Sequence, residues 1–200
     1  MTSRLLYLVA AGLTASALAL PLWGFAMAAP QYPDETLHLQ VGRSGITGDV
    51  GEVETLQHYI GVRFPRELPE LPLAQRGIAA MAVLLFAAAF TKGRGLGRAY
   101  RAVCAVAFIS FLALSATAVQ SRLYRVGHER DHHAPIRAVR DFTPPLVGPA
   151  KVGNFTVWSY PHAGAAMLLT AAILSIAGVR REGTTGRMQA VEGAPHKAVA

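Results

Sequence analysis

Cysteine is almost absent from this sequence, and the one thiol, Cys104, lies inside an apolar stretch. A single cysteine excludes a disulfide framework, a CxxC redox motif and a cysteine-based zinc site. The chain also has no GxSxG motif and no nucleophile–base pair, which disfavours an ordinary hydrolase. The glycine-rich segment 91–101 lacks the Gly-Lys-Ser/Thr sequence of a phosphate-binding loop. We therefore predict that the protein is not an enzyme.

Charge is scarce in four apolar blocks, which span residues 5–28, 73–90, 102–119 and 160–179. Arg76, near the end of the second block, is the one charged residue in them. Each block is long enough to cross the ~30 Å hydrocarbon core of a bilayer, and their lack of charge argues against a pump or secondary transporter. Many of the basic residues behind the net charge of +7 lie beside the blocks. We therefore interpret this charge as a topology signal and not as a nucleic-acid footprint. The sequence predicts an all-α membrane protein with four transmembrane helices.

The first block, within residues 1–28, admits two interpretations. Small residues at its end, 25–30, are spaced like a signal-peptidase site, which would make it a cleaved signal peptide. Its apolar run exceeds ~20 residues, which is longer than the usual signal core and long enough to span the bilayer. We favour an uncleaved anchor that forms transmembrane helix 1.

The charges outside the blocks predict which loops face outward. Residues 29–72 hold seven acidic residues against three arginines. The segment 73–119 contains predicted helices 2 and 3, and the loop between them, 91–101, holds four basic residues and no acidic one. Short basic loops mark the cytoplasmic side. Residues 120–159 then form a second outer loop, although it carries six basic residues against three acidic ones. With 180–200 as a disordered cytoplasmic tail, both termini lie inside.

The first outer loop shows two local patterns. Residues 37–41 alternate between apolar and polar side chains, which predicts a short strand. Residues 54–62 predict one or two helical turns that end at Gly61. We expect at most a small strand pairing in the outer loops.

The segment 124–136 has the highest density of metal-ligand side chains. They are His128, Glu129, Asp131, His132 and His133. Gly127 and Pro135 bracket this cluster, which predicts a loop and not a long helix. Imidazole and carboxylate are good ligands for borderline first-row metals. Ordinary solvation or hydrogen bonding is the alternative for each of these side chains.

Other residues that suit a metal fall on the same predicted side of the membrane. They are His38, His58, His162, Met27, Met81 and Met167, whereas His196 lies in the tail. Thioether sulfur suits Cu(I) and imidazole suits copper or zinc. Methionine is also a common packing residue between helices, which is the plainer interpretation of these three.

Short motifs between residues 29 and 164 occur together in a specific order. They are Ala29-Pro-Gln-Tyr-Pro33, Gln57-His-Tyr-Ile-Gly61, Gly127-His128 with Asp131, Ala134-Pro-Ile136, Pro144-Pro-Leu-Val-Gly148, Asn154-Phe155 and Ser159-Tyr-Pro161. In this combination the chain resembles a family of small polytopic bacterial membrane proteins. The genes of that family often lie beside the copper chaperone and accessory genes of nitrous-oxide reductase clusters. The resemblance implies four helices with two outward loops in the inner membrane, and a role near extracytoplasmic copper.

The residues that match the family motif are His58, Tyr59, Gly61, His128, Asp131, Pro144, Pro145 and Asn154. The chain departs from the family at two positions, because Gln57 and Val62 replace the Asn and Met of Asn-His-Tyr-Ile-Gly-Met. If that Met is a Cu(I) ligand in the family, this chain lacks it. The pair His132-His133 is not usual in the family.

The expected function is copper binding or delivery outside the cytoplasm, in support of nitrous-oxide reductase maturation. The expected cofactor is copper, with His58 and His128 as core ligands and Asp131, His132 and His133 beside them. The expected partners are the bilayer and an extracytoplasmic copper chaperone or cuproenzyme, with no nucleic acid. The alternative is a scaffold or subunit without metal that holds an extracytoplasmic partner, and a membrane enzyme with a His/Asp metal site ranks third.

Overall fold

The fold combines α-helices with a five-stranded antiparallel sheet, so the predicted all-α class is wrong. The computed structural model describes residues 2–29, 32–62, 68–92, 95–129 and 141–192, without the side chains of 32–34, 56–60 and 182–192. The sheet comes from segments that the sequence pattern assigned to a helix end and to loops.

Five helices lie in the described part of the chain. They are α1 (Ser3–Ser16), α2 (Val50–Ile60), α3 (Leu71–Phe90), α4 (Leu96–His128) and α5 (Ala163–Glu192). A 3-10 turn at Ala17–Ala19 extends α1. Helices α3, α4 and the part of α5 up to Arg181 are long and apolar enough to cross a membrane, whereas Ser3–Ala19 is a shorter apolar helix. The predicted helices 2, 3 and 4 thus correspond to observed helices. The predicted number of four transmembrane helices is wrong for the described residues, because the helix in the first block is shorter than the three that could cross a membrane.

Helices α1, α3, α4 and α5 pack into a bundle, in which α1 contacts α3 and α5. The fully buried residues include Tyr7, Ala10, Leu85, Phe108 and Ala171. Small residues let the helices approach closely. A Cβ added to Gly178 would lie 2.6 Å from the Tyr7 ring, and one added to Gly77 would lie 2.4 Å from the Phe111 ring.

The strands are β1 (Trp23–Ala29), β2 (Tyr32–Gly42), β3 (Gly45–Gly48), β4 (Gly148–Val152) and β5 (Phe155–Pro161). Their order in the sheet is β3-β2-β1-β5-β4, and every neighbouring pair is antiparallel. The strand predicted at 37–41 is confirmed within β2. The expectation of at most a small strand pairing is wrong, because β1 joins strands from two distant parts of the chain.

Strand β1 is the main correction to the predicted topology. The sequence predicts residues 23–28 as the end of transmembrane helix 1, but they lie in β1 at the centre of the sheet. Phe25 and Met27 are buried on one face of the strand, and Gly24, Ala26 and Ala28 lie on the other. Because both faces are apolar or small, the usual alternation of a strand is hidden in a continuous apolar run.

One face of the sheet packs against α2 and the C-terminal end of α4. The shared cluster contains Phe25, Met27, Leu39, Val53, Leu123, Val152 and Val157. Helix α4 has 33 residues, a length of ~50 Å that exceeds the ~30 Å hydrocarbon core. Its last turns therefore extend past the bundle to the sheet. The loop predicted from residue 120 is helical up to His128, and α2 confirms the helical turns predicted before Gly61.

The two ends of the bundle are built differently. At the sheet end, the His162 N–H donates to the Leu22 carbonyl (3.1 Å) and the Gly164 N–H donates to the Pro21 carbonyl (2.9 Å), which joins the end of α1 to the start of α5. At the other end, the Arg101 guanidinium donates to the carbonyls of Ala88 and Thr91 at the end of α3. Helix α5 continues to Glu192, so 180–192 is not the disordered tail that we predicted, and 193–200 lie outside the described residues.

Candidate functional site

The candidate site lies where the end of α4 meets the segment 141–147. A Cβ added to Gly127 would lie 1.8 Å from the Phe142 carbonyl oxygen, and the Phe142 N–H donates to the Gly127 carbonyl (3.4 Å). The side-chain amide of Gln120 donates to the Pro144 carbonyl (3.1 Å). These contacts fix the segment along α4, so Gly127 is a packing residue of a helix and not the start of a loop.

His128, the last residue of α4, is oriented by Tyr124. Its Nδ1 lies 2.9 Å from the Tyr124 carbonyl oxygen, and its ring stacks on the Tyr124 ring with centroids 3.9 Å apart. A carbonyl oxygen only accepts hydrogen bonds, so in the neutral imidazole the proton lies on Nδ1 and the lone pair on Nε2. Histidines that bind metals commonly donate their other N–H to a backbone carbonyl in this way. Nε2 of His128 is therefore prepared to accept a hydrogen bond or to bind a metal.

Two other described histidines differ from His128. The Ala163 N–H donates to Nδ1 of His162 (2.9 Å), which uses that lone pair and places the proton on Nε2. His38 is exposed on the sheet face that is turned away from α4, and its backbone N–H donates to Asp49 (2.7 Å).

Most of the predicted ligands lie outside the described side chains. Asp131, His132 and His133 are outside the described residues. His58 and Tyr59 lie in α2, but their side chains are not among those that the structure describes. The described residues contain no group of three His, Cys, Asp or Glu that would hold a metal.

The backbone nevertheless relates α2 to α4. Val53 of α2 and Leu123 of α4 belong to the same buried cluster. His58 follows Val53 by five positions, and His128 follows Leu123 by five. Both predicted core ligands therefore lie on helices that pack against the same face of the sheet.

The remaining motif residues occupy turns and packing positions. Gly61 follows α2 with a φ of 69°, a conformation that favours glycine. Pro144 is buried and Pro145 is half-buried, and the exposed Asn154 lies in the turn between β4 and β5. Their positions fit structural roles.

The methionines lie in packing positions. Met27 is buried on the inner face of the sheet, and Met81 and Met167 are half-buried against the bundle core.

A groove that the sequence reasoning missed runs along α4 beside His128. Its volume is about 720 Å³, and its lining includes Ala116, Thr117, Ser121, Tyr124, Arg125 and Glu129, with Leu146 on the opposite wall. The sequence contains a pattern that indicates this face of α4. Polar or charged residues recur there every four positions and so share one face of a helix; they are Thr117, Ser121, Arg125 and Glu129. Assigning residues after 119 to a loop concealed this pattern.

An ion pair between Glu70 and Arg122 joins the start of α3 to the C-terminal end of α4. Partial burial raises the pKa of the Glu70 carboxyl. Its backbone hydrogen bond, the hydrogen bond from Arg122 and the charges of Arg122 and Arg125 outweigh this effect, so the pKa lies below the ordinary value of 4.5.

No family model, curated protein or solved structure matches this chain. The family resemblance in the sequence motifs stays a prediction. Function is therefore argued from the chemistry of the site.

Proposed function

We propose that this protein is a membrane accessory protein that binds or delivers copper on the extracytoplasmic side of a bacterial inner membrane, in support of nitrous-oxide reductase maturation. The observation that best supports the copper site is the state of His128, whose Nδ1–H donates to the Tyr124 carbonyl and leaves Nε2 as a ligand. Imidazole nitrogen is a suitable ligand for copper.

The helices and the charges support a membrane location. Three helices are long and apolar enough to cross a bilayer, and α1 packs among them. The bundle end opposite the sheet carries Arg4, Lys92, Arg98, Arg101, Arg180 and Arg181. The sheet end carries one fewer described basic residue than the opposite end, and these five residues are Arg43, Arg76, Arg122, Arg125 and Lys151. By the positive-inside rule, the sheet, α2 and the end of α4 face outward.

The proposed copper ligands are His128 and His58, with Asp131, His132 or His133 completing the set. Helices α2 and α4 pack against one face of the sheet, which supports a shared site. Cys104 is buried within α4 in the bundle, so the chain offers no thiolate at the sheet end. Copper there depends on histidine, carboxylate or methionine.

The test is a Cu(I) titration and metal analysis of the purified protein in detergent. Changing a residue that only supports a ligand typically weakens metal binding by roughly 10–100-fold, so His58→Ala and His128→Ala should each weaken copper binding at least that much. Two variants serve as controls. His38→Gln removes an exposed histidine from the far side of the sheet, and His196→Ala changes the tail, so both should bind like wild type.

A wild-type protein that binds no copper, or His58 and His128 variants that bind as tightly as wild type, would contradict the copper proposal. The scaffold alternative would then take its place. One observation favours that alternative: Trp158 is 52% exposed on the open face of the sheet, beside Ala26 of β1. Exposed aromatic residues are enriched where proteins bind each other.

A further inference from the structure

We infer that the groove along the outer end of α4, called the α4 groove below, binds a phospholipid of the outer leaflet with an ethanolamine headgroup. This inference rests on the membrane location proposed above and is independent of copper. Three features of the groove support it: its depth relative to the bilayer, its fixed wall, and a pair of opposite charges at its outer end.

The α4 groove crosses the level at which the bilayer ends. The apolar stretch of α4 closes at about residue 119, and the groove extends from Ala116 to Glu129. At 1.5 Å per residue this span is ~20 Å, whereas the headgroup layer adds only ~5–7 Å to each side of the hydrocarbon core. The half-exposed Tyr124 lies between the two ends, where aromatic residues are enriched at membrane interfaces. The groove therefore begins beside acyl chains and crosses the headgroup layer, so a lipid that reaches Arg125 and Glu129 is drawn partly out of the leaflet along the groove.

The wall opposite α4 is held in place by hydrogen bonds. Gln120 donates to the Pro144 carbonyl (3.1 Å), and the buried Ser159 hydroxyl donates to the Leu146 carbonyl (2.8 Å). Leu146 thereby faces the groove at a fixed distance from α4, and with Ala116 it supplies an apolar surface. An acyl chain gains from burying apolar area against such a surface.

The outer part of the groove matches a zwitterionic headgroup. Arg125 and Glu129 are both exposed, and they are four residues apart on one face of α4, so their Cβ atoms lie ~5–6 Å apart. Phosphate and ammonium in phosphoethanolamine are separated by only a two-carbon linker. A guanidinium binds phosphate through charge-assisted hydrogen bonds, and a carboxylate accepts hydrogen bonds from ammonium.

Choline lipids have a methylated nitrogen that cannot donate a hydrogen bond to Glu129. Glycerol lipids have no cation for this carboxylate. The chemistry of the groove thus selects ethanolamine among phospholipids that share the same phosphate and the same acyl chains.

The experiment is native mass spectrometry of the full-length protein in detergent, titrated with ethanolamine, choline and glycerol phospholipids that have identical acyl chains. Loss of one charge-assisted hydrogen bond corresponds to roughly tenfold in affinity. Wild type should therefore bind the ethanolamine lipid roughly tenfold more tightly than the choline lipid. Arg125→Gln should weaken binding of all three lipids, and Glu129→Gln should weaken the ethanolamine lipid most, so that its advantage over the choline lipid disappears.

Two further variants separate the groove from general charge effects. Arg122→Gln removes the same charge from the same helix, but Arg122 binds Glu70 and does not line the groove, so its lipid binding should match wild type. Ser121→Trp fills the groove without a change of charge and should abolish the preference for ethanolamine. Circular dichroism would confirm that each variant is folded.

Phosphoethanolamine without acyl chains distinguishes a lipid from a free phosphate compound, and it should bind far more weakly than the lipid. Equal affinity for the two, the absence of a headgroup preference in wild type, or wild-type binding by folded Arg125→Gln and Ser121→Trp variants would each overturn the inference. Because no metal is added, a negative result here leaves the copper titration unaffected.

Discussion

At the scale of single residues, Gly127 makes the tightest approach at the candidate site. A Cβ at this position would lie 1.8 Å from the Phe142 carbonyl oxygen, a backbone atom that cannot rotate away. We expect Gly127→Ala to lower the free energy of unfolding by about 1–3 kcal/mol, the typical cost of overpacking. Thermal unfolding of the protein in detergent would measure it.

Gly51→Ala is the matched control for Gly127→Ala. Gly51 also lies in a helix, and an added Cβ there would meet no atom within 4 Å. Alanine is the better helix former, so this variant should unfold at the wild-type temperature or slightly above it. If both variants unfold like wild type, the segment 141–147 is not packed against α4.

The role of Gly127 also shows what sequence reasoning misses at this scale. The family motif includes Gly127, His128 and Pro144. Gly127 and His128 end α4, and Pro144 packs against it. Gly127 was interpreted as a loop residue because glycine usually interrupts a helical pattern. Its partner, Phe142, lies fifteen positions further along the chain, and no local pattern predicts that contact.

At the scale of elements, the Glu70–Arg122 pair connects α3 to α4 and should make their connection sensitive to pH. The pKa of Glu70 is lowered in the folded protein. The ion pair therefore stabilises the fold above pH 4.5, and this stabilisation is lost as the pH falls through the lowered pKa. Glu70 is half-exposed, so the expected contribution is only ~0.2–1 kcal/mol.

Thermal unfolding of wild type and Glu70→Gln across the acidic range would test this prediction. Wild type should be the more stable protein at neutral pH, and the difference in stability between wild type and Glu70→Gln should disappear below pH 4.5. Glu35→Gln, which changes an exposed carboxylate on β2, should show no such convergence. A gap between wild type and Glu70→Gln that persists in strong acid would mean that the glutamate acts through packing and not through its charge.

Elements of different kinds were predictable to different degrees. Helices α3, α4 and α5 were expected near their observed positions, because length and apolarity are properties of a continuous segment. The sequence does not predict strand β1, although its partner β2 follows it directly, because residues 23–29 continue the apolar run of the first block; its other partner, β5, lies about 130 residues away. The small residues Gly24, Ala26 and Ala28 removed the remaining signal, because a strand with a small, weakly polar outer face does not alternate.

At the scale of the whole molecule, the structure explains how four helices and a sheet form one assembly. Helix α4 runs through the bundle and continues to the inner face of the sheet, where Leu123 joins the sheet cluster. Strand β1 follows the α1 segment, and strand β5 precedes α5. Backbone hydrogen bonds join the α1–β1 connection to the β5–α5 connection. Such an arrangement places every strand at one end of the bundle, so the proposed topology assigns the whole sheet to one side of the membrane.

The proposed topology predicts which surface positions react with a membrane-impermeant maleimide in intact spheroplasts. Cys104 is the one cysteine and is buried, so a Cys104→Ser background allows single cysteines to be introduced at chosen sites. Ser44→Cys, at the turn between β2 and β3, and Val147→Cys, before β4, should react from outside because both positions are exposed at the sheet end. Leu96→Cys, at the start of α4, should react only after lysis, although Leu96 is 87% exposed. These point substitutions preserve α2 and the sheet, whereas a reporter inserted at Gly51 would interrupt α2 and one inserted at Gly148 would interrupt the sheet. Labelling of Leu96→Cys in intact spheroplasts, together with protection of Ser44→Cys and Val147→Cys, would place the sheet in the cytoplasm, and it would remove both the copper site and the α4 groove from the outer surface.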